Sequence, residues 1–340
     1  MKQNLLSKGN LLDENGNLVE SGYAYSQVKE YHRKDIKAPK SRIKEWDYYY
    51  FGNHEFGLAL TIADNSYMNL ASATFIDFKN KTYIEKSHIG LLSNGKLKLP
   101  ESSSVGNTSY VKETVEFHFD HENDGVRHLY GKIREFSSLD NLTFDIYLKE
   151  TTNKSMVIAT PFEKEKYFYY NQKINCFDCK GTLLIGTNLL SFDDGHGVLD
   201  WGRGVWTYKN TWYWASMSDL VDNRRIGFNL GYGFGNTSNA SENMLFVNQK
   251  AYKLNDVIFN IPSKNGKDDF MSSWTINSKK KDIDLTFTPL VLRKGGGNAL
   301  VINSKQRQVF GIYNGTFTIE DGVIEIKNCY GFAEKVYNRW

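Results

Sequence analysis

The sequence has little of what usually announces a chemistry. It has three cysteines, Cys176, Cys179 and Cys329. An odd count at so low a density excludes a disulfide scaffold. Cys176-x-x-Cys179 has no second pair at finger spacing, and its flanks lack the βαβ pattern of a redox motif. The seven histidines are too scattered for a zincin helix or a finger. No metal is expected, and no cofactor, because neither a phosphate loop nor a dinucleotide fingerprint is present. Gly231-x-Gly-x-Gly235 and Lys294-Gly-Gly-Gly297 are followed by no helical pattern and read as loops or strand bends. A nucleophile elbow is also missing.

Charge of one sign is missing too. Lys and Arg total 42 against 39 Asp and Glu, a net charge of +3. Nucleic-acid binders concentrate basic residues, whereas Lys279-Lys-Lys281 is followed by Asp282 and Asp284 and reads as a solvated turn. Nucleic acid is therefore not an expected partner. No apolar run reaches the 18 or more residues of a membrane span. Met1-Lys-Gln-Asn-Leu5 opens no apolar leader segment, so the expected location is cytoplasmic.

Aromatic residues and period-2 alternation are plentiful. Tyr and Phe occur 21 times each and Trp 7 times, and they must carry much of the core. Val111–Phe119, Leu142–Leu148 and Asp282–Thr288 alternate apolar with polar, the pattern of half-buried strands. Asp321-Gly322 and Asn94-Gly95 are hairpin turn signals. Helical periodicity is scarce, and only five prolines occur. Many short strands with regular turn signals imply a sandwich or barrel. Two units are expected: residues 1–165, with a polar leader that includes Tyr31-His-Arg-Lys34, and residues 166–340.

The densest unusual run is Asp200-Trp-Gly-Arg-Gly-Val-Trp206, continuing through Trp212-Tyr-Trp-Ala-Ser216. On a strand, Trp212 and Trp214 share a face and Tyr213 takes the other. Gly202 and Gly204 bracket Arg203, which suggests a tight turn around a crowded guanidinium. Arg203 is able to pair with a carboxylate, Asp200 being the nearest, and to stack on an indole. Glu334, in the last strand, is a second candidate partner. The run reads either as a site floor or as a plug in which Arg and Trp seal one barrel end. Asn229, Glu242 and His196 are further candidates. His196 is the only histidine close in sequence to the run and the one placed to titrate there.

These residues resemble a bacterial domain-of-unknown-function family. The resemblance rests on Leu199–Trp206, Trp212-x-Trp-Ala-Ser216, Ile226-Gly-Phe-Asn-Leu-Gly231, Glu242-Asn243, Lys166-Tyr-Phe-x-Tyr170 and Gly331-Phe-Ala-Glu334 to Arg339-Trp340. It is specific from about residue 160 onward. More distantly the chain is similar to carotenoid 1,2-hydratase and AttH-like proteins. That resemblance implies an all-β fold of two consecutive lipocalin-like (calycin-type) antiparallel β-barrels. The relatives' Asp-His-x-Trp element becomes Asp200-Trp-Gly-Arg here, without the histidine.

Three functions follow as expectations. The first is binding of an apolar or amphipathic small molecule, lipid or isoprenoid-like, in a barrel cavity lined by Trp206, Trp212, Trp214, Asn229, Glu242 and His196. The second is a hydratase, cyclase or isomerase with Asp200 as acid, tuned by Arg203 and Glu334. The third is a structural protein with the motif as barrel plug.

Overall fold

The computed structural model describes residues 3–299 and 302–339. Among these, no α-helix forms: three single-turn 3₁₀ segments are the only helical elements. Among the described residues no helix is long and apolar enough to cross a membrane. Most of the described strands are antiparallel and lie in two large sheets, of thirteen and ten strands, beside two small two-stranded pairs.

The strands of four residues or more run as follows. The first set is β1 Ile43–Gly52, β2 Phe56–Asp64, β3 Met68–Asp77, β4 Thr82–Leu91, β5 Thr108–Lys112, β6 Val115–His121 and β7 Val126–Ser137. Then come β8 Asp140–Lys149, β9 Met156–Pro161, β10 Phe168–Ile185, β11 Asn188–Ser191 and β12 Gly195–Val205. The second set is β13 Lys209–Val221, β14 Arg224–Tyr232, β15 Met244–Val247, β16 Lys250–Lys253 and β17 Val257–Asn260. It ends with β18 Trp274–Ser278, β19 Ile283–Gly295, β20 Ile302–Ile319 and β21 Gly322–Arg339.

The first sheet has the order β4-β3-β2-β1-β12-β10-β8-β7-β6-β5, with β9 and β11 also paired to β10. The second has the order β16-β15-β14-β13-β21-β20-β19-β18-β17. Each curls around its own apolar core, one holding Phe51, Phe117, Phe144 and Trp201, the other Phe228, Trp274, Phe287 and Phe317. This is the expected all-β, double lipocalin-like architecture. The alternating run Val111–Phe119 is broken at Glu113-Thr114 into the β5–β6 hairpin. The change of sheet falls at residues 206–208, later than the division expected at 165/166. Strands β10 and β12 look like openers of a second unit in sequence, but they join β8 to β1 and so complete the first sheet.

The second face of each sheet also carries apolar residues, because the two units pack against each other. Tyr50, Ile76, Val198, Phe310 and Phe332 form one shared cluster, and Tyr169, Trp206, Phe234 and Met244 another. Strands here are buried on both faces, which favours near-continuous apolar runs over clean alternation. The leader crosses this seam: Asn4 N–H donates to Asn239 O (2.7 Å) and Gln3 Nε2 to Leu254 O (2.9 Å).

Candidate functional site between the two sheets

Strand β12 carries the motif and presents its two faces to different places. Leu199, Trp201 and Val205 enter the core of the first sheet. Arg203 lies on that same face and is fully buried. Its guanidinium covers the Trp201 ring at 4.3 Å and pairs with Asp47 (3.0 Å). It also donates to Trp46 O (2.7 Å), Gly202 O (2.9 Å) and Pro100 O (2.8 Å from Nη2, 3.2 Å from Nε). Tyr31 of the leader closes over this end, edge-on to Trp201, and donates to Glu45 (2.7 Å). Arg203 and Trp201 are thus buried and packed on each other in the interior of the first sheet.

The expected Arg203–Asp200 and Arg203–Glu334 pairs do not form. Residues 200 and 203 are an odd number apart, so on a strand they face opposite sides of the sheet. Arg203 therefore has no place in the wall that holds Asp200. The glycines also differ from expectation, since β12 runs extended through both. Gly202 is required for space: a Cβ there would lie 2.0 Å from Trp46 Cζ2.

On the other face, Asp200 and Trp206 line a cavity of about 200 Å³ between the two sheets. The first sheet contributes Trp46 and Tyr48 from β1, Thr61 from β2, Ser72 and Thr74 from β3, and Tyr169 and Lys173 from β10. The second contributes Trp212 and Trp214 from β13, Arg293 from β19, Gln308 from β20, Glu334 from β21, and Phe234 and Glu242 from the segment after β14. The aromatic wall is continuous. Trp206 meets Trp46, Trp212 and Phe234 edge-on with ring centres 5.2, 5.8 and 4.7 Å apart, and Tyr169 stacks on Trp46 at 6.1 Å.

Three carboxylates face this space. Asp200 pairs with Lys173 Nζ (2.9 Å) and accepts from Asn171 Nδ2 (2.5 Å). Lys173 Nζ also lies 3.8 Å above the Trp214 ring. Trp214 Nε1 donates to Asn229 Oδ1 (2.7 Å), whose Nδ2 donates to Glu242 O (2.7 Å). Asn229 thus supports the wall from behind. Glu334 accepts from Trp212 Nε1 (2.9 Å). Burial pushes the Glu334 carboxyl up to about 7, against the Trp212 hydrogen bond and the charge of Lys173, and with Asp200 adding to the rise. Burial likewise raises Glu242, with Lys173 opposing. Burial also raises the Tyr169 phenol, helped by all three carboxylates. A buried carboxyl that prefers its proton near neutral pH is suited to donating it.

The structure thus brings Asp200, Trp206, Trp212, Trp214, Glu242 and Glu334 together, with Asn229 behind them. It leaves out Arg203 and His196. His196 shares the outward face of β12 but lies toward its other end, in a second cavity with His54, Asp219 and Tyr330. Trp340 lies outside the described residues. Among the described residues no cluster is suited to hold a metal ion.

Lys173, Trp46, Tyr48, Tyr169, Phe234 and Arg293 escaped the sequence reading. A signal for Lys173 was present: Asn171, Lys173 and Asn175 set polar groups at every second position of β10, although Gln172 adds a polar group on the other face. Such a stripe on a buried strand marks a face that looks into a polar cavity. Nothing local to Trp46 or Arg293 marks either, since sheet pairing brings both there from distant parts of the chain.

Among solved structures, kievitone hydratase from Nectria haematococca superposes with a TM-score of 0.53 at 12% identity, covering 99% of this chain and 98% of its own. A protein assigned as AttH from Nitrosomonas europaea superposes with a TM-score of 0.52 at 10% identity, covering 92% and 98%. At these identities the likeness is one of fold. No curated protein sequence matches the chain. The family described as Domain of unknown function (DUF2804) matches residues 2–340, and the chain belongs to that family.

Proposed function

We propose that the protein binds a small amphipathic molecule in the cavity between its two sheets. The observation that carries this reading is the cavity of about 200 Å³, walled by Trp46, Trp206, Trp212, Phe234 and Tyr169 and holding Asp200, Glu242 and Glu334. Ligand sites combine apolar walls with a few convergent polar groups in this way. The volume suits a molecule of one or two rings better than a long-chain lipid. The site lies between the two sheets, not inside either curled sheet.

A second reading is favoured by Glu334. A carboxyl held near 7 in a cavity is a general acid at neutral pH. An enzyme of hydratase, cyclase or isomerase type would use it to protonate a bound unsaturated or hydroxylated substrate. Asp200, expected as the acid from sequence, is engaged by Lys173 and Asn171. In this reading it positions Lys173, and Glu334 donates the proton. The name of the kievitone hydratase agrees with this class of reaction and is not the ground for it.

The test is saturable binding of 2-naphthol, a neutral amphipathic bicycle, followed by fluorescence and by native mass spectrometry. Ser72 lines the cavity from β3, and Ser72→Trp should fill the space and abolish binding while the fold persists. If folded Ser72→Trp still binds 2-naphthol, the cavity is not the site.

A further inference from the structure

The charges around the cavity are unevenly matched. Lys173 is neutralised by Asp200 at 2.9 Å. Arg293 is neutralised by Glu85 through two parallel bonds, Nε–Oε2 at 3.0 Å and Nη2–Oε1 at 2.6 Å. Glu242 and Glu334 remain. Each is buried to more than nine-tenths, and the partners of their carboxylates are neutral: the Asn229 amide (3.5 Å) and the Trp212 indole N–H (2.9 Å). Among the described residues neither forms an ion pair. Cations act on them only through space, Lys173 and Lys253 on Glu242 and Lys173 and Arg293 on Glu334, and removing a carboxylate from water without a contacting counter-charge is costly. Two such groups facing one cavity are relieved by a proton or by a positive occupant, and a positive occupant favours their ionised forms.

The wall already shows how it takes a cation. The Lys173 ammonium rests on the face of Trp214 at 3.8 Å while touching Asp200. That arrangement joins a carboxylate to an indole face, the combination that binds ammonium groups out of water. Trp212 and Glu334 offer the same pair of groups two residues earlier on β13 and on its neighbour β21, where Trp214 and Glu334 are register partners. Trp206 and Phe234 close around the Trp212 ring at 5.8 and 5.1 Å.

We infer that the cavity's ligand is a cation: a small aryl or alkyl molecule carrying a substituted ammonium group, seated against Trp212 with Glu334 and Glu242 as counter-ions. This rests on the cavity being the ligand site. The ammonium supplies the charge that the two glutamates lack, and its hydrocarbon part covers the aromatic wall. An anionic ligand is disfavoured by the same two carboxylates.

The experiment compares benzyltrimethylammonium with neopentylbenzene, which has the same shape and no charge. Binding to the full chain is read by quenching of tryptophan fluorescence and by competition with 2-naphthol. The cation should bind at least about tenfold more tightly, the discrimination that charge and cation–π attraction give in a desolvated site. Glu334→Gln and Glu242→Gln should each reduce that preference, and the double variant should abolish it. Equal binding of the two probes to the unaltered protein overturns the cationic class and leaves the ligand site standing. Failure of both probes and of 2-naphthol overturns the site itself. The comparison on the unaltered chain decides the matter even if a glutamine variant does not fold.

Discussion

The two faces of strand β12 bury charge in opposite ways. On the inward face, Arg203 has a carboxylate partner, three carbonyl acceptors and an indole beneath it. On the outward face, Asp200 shares its cavity with Glu242 and Glu334, and among the described residues only Asp200 of these three forms an ion pair. A buried charge whose hydrogen-bonding capacity is met locally holds a structure together. A buried charge left short of partners keeps a free-energy deficit that a ligand or a proton is able to relieve. One seven-residue motif therefore serves both purposes, divided by the alternation of the strand.

The strongest way to break this division is to disturb the inward face. Arg203→Ala leaves Asp47 buried beside an empty space and should cost about 3–5 kcal/mol, the usual penalty for breaking a buried pair. Denaturant unfolding measures it. The folded fraction should bind 2-naphthol as before, and loss of binding there would place Arg203 in the site after all.

Glu334 sharpens the outward side. Its folded carboxyl titrates about 7 against an ordinary value of 4.5. Its contribution to stability is therefore full below about 4.5 and is lost as the pH rises through about 7. The loss is roughly 3 kcal/mol by linkage. Glu334→Gln should remove that decline, so the variant gains on the parent between acid and neutral pH. Urea midpoints compared across this range check the sign, and parallel curves would contradict it.

Gly202→Ala comes next. The added methyl collides with Trp46 and should cost about 1–3 kcal/mol as overpacking. Because Trp46 walls the cavity, 2-naphthol affinity should fall as well. Trp212→Phe is milder. It removes the hydrogen bond that favours the Glu334 carboxylate, so the carboxyl should titrate above 7, followed by carboxyl-selective infrared or carbon NMR. His196→Ala should change binding in the main cavity least, since His196 borders the other cavity.

Much of the frame was legible in the sequence. Alternation in Leu142–Leu148 and Asp282–Thr288, with the scarcity of helical periodicity, leads to an all-β chain, and β8 and β19 form as that pattern requires. The shared face of Trp212 and Trp214 followed from strand alternation, and the link to Asn229, Glu242 and Glu334 from motif resemblance. The partners were not legible. Asp47, Lys173 and Arg293 reach Arg203, Asp200 and Glu85 through sheet pairing and packing between the units. Proximity in sequence favoured Asp200 for Arg203, although three-residue spacing on a strand already forbids it. The change of sheet falls later than the expected division for a related reason: β10 and β12 are buried on both faces because the units share them as a seam, and nothing in their composition assigns them to one side.

The division between the two faces of β12 is tested most directly by measuring melting temperature and 2-naphthol affinity together for Arg203→Lys and Ser72→Trp. The account predicts that Arg203→Lys melts well below the parent yet binds normally when folded, whereas Ser72→Trp melts near the parent and does not bind. A folded Arg203→Lys that has lost the ligand, or a folded Ser72→Trp that keeps it, would contradict the account.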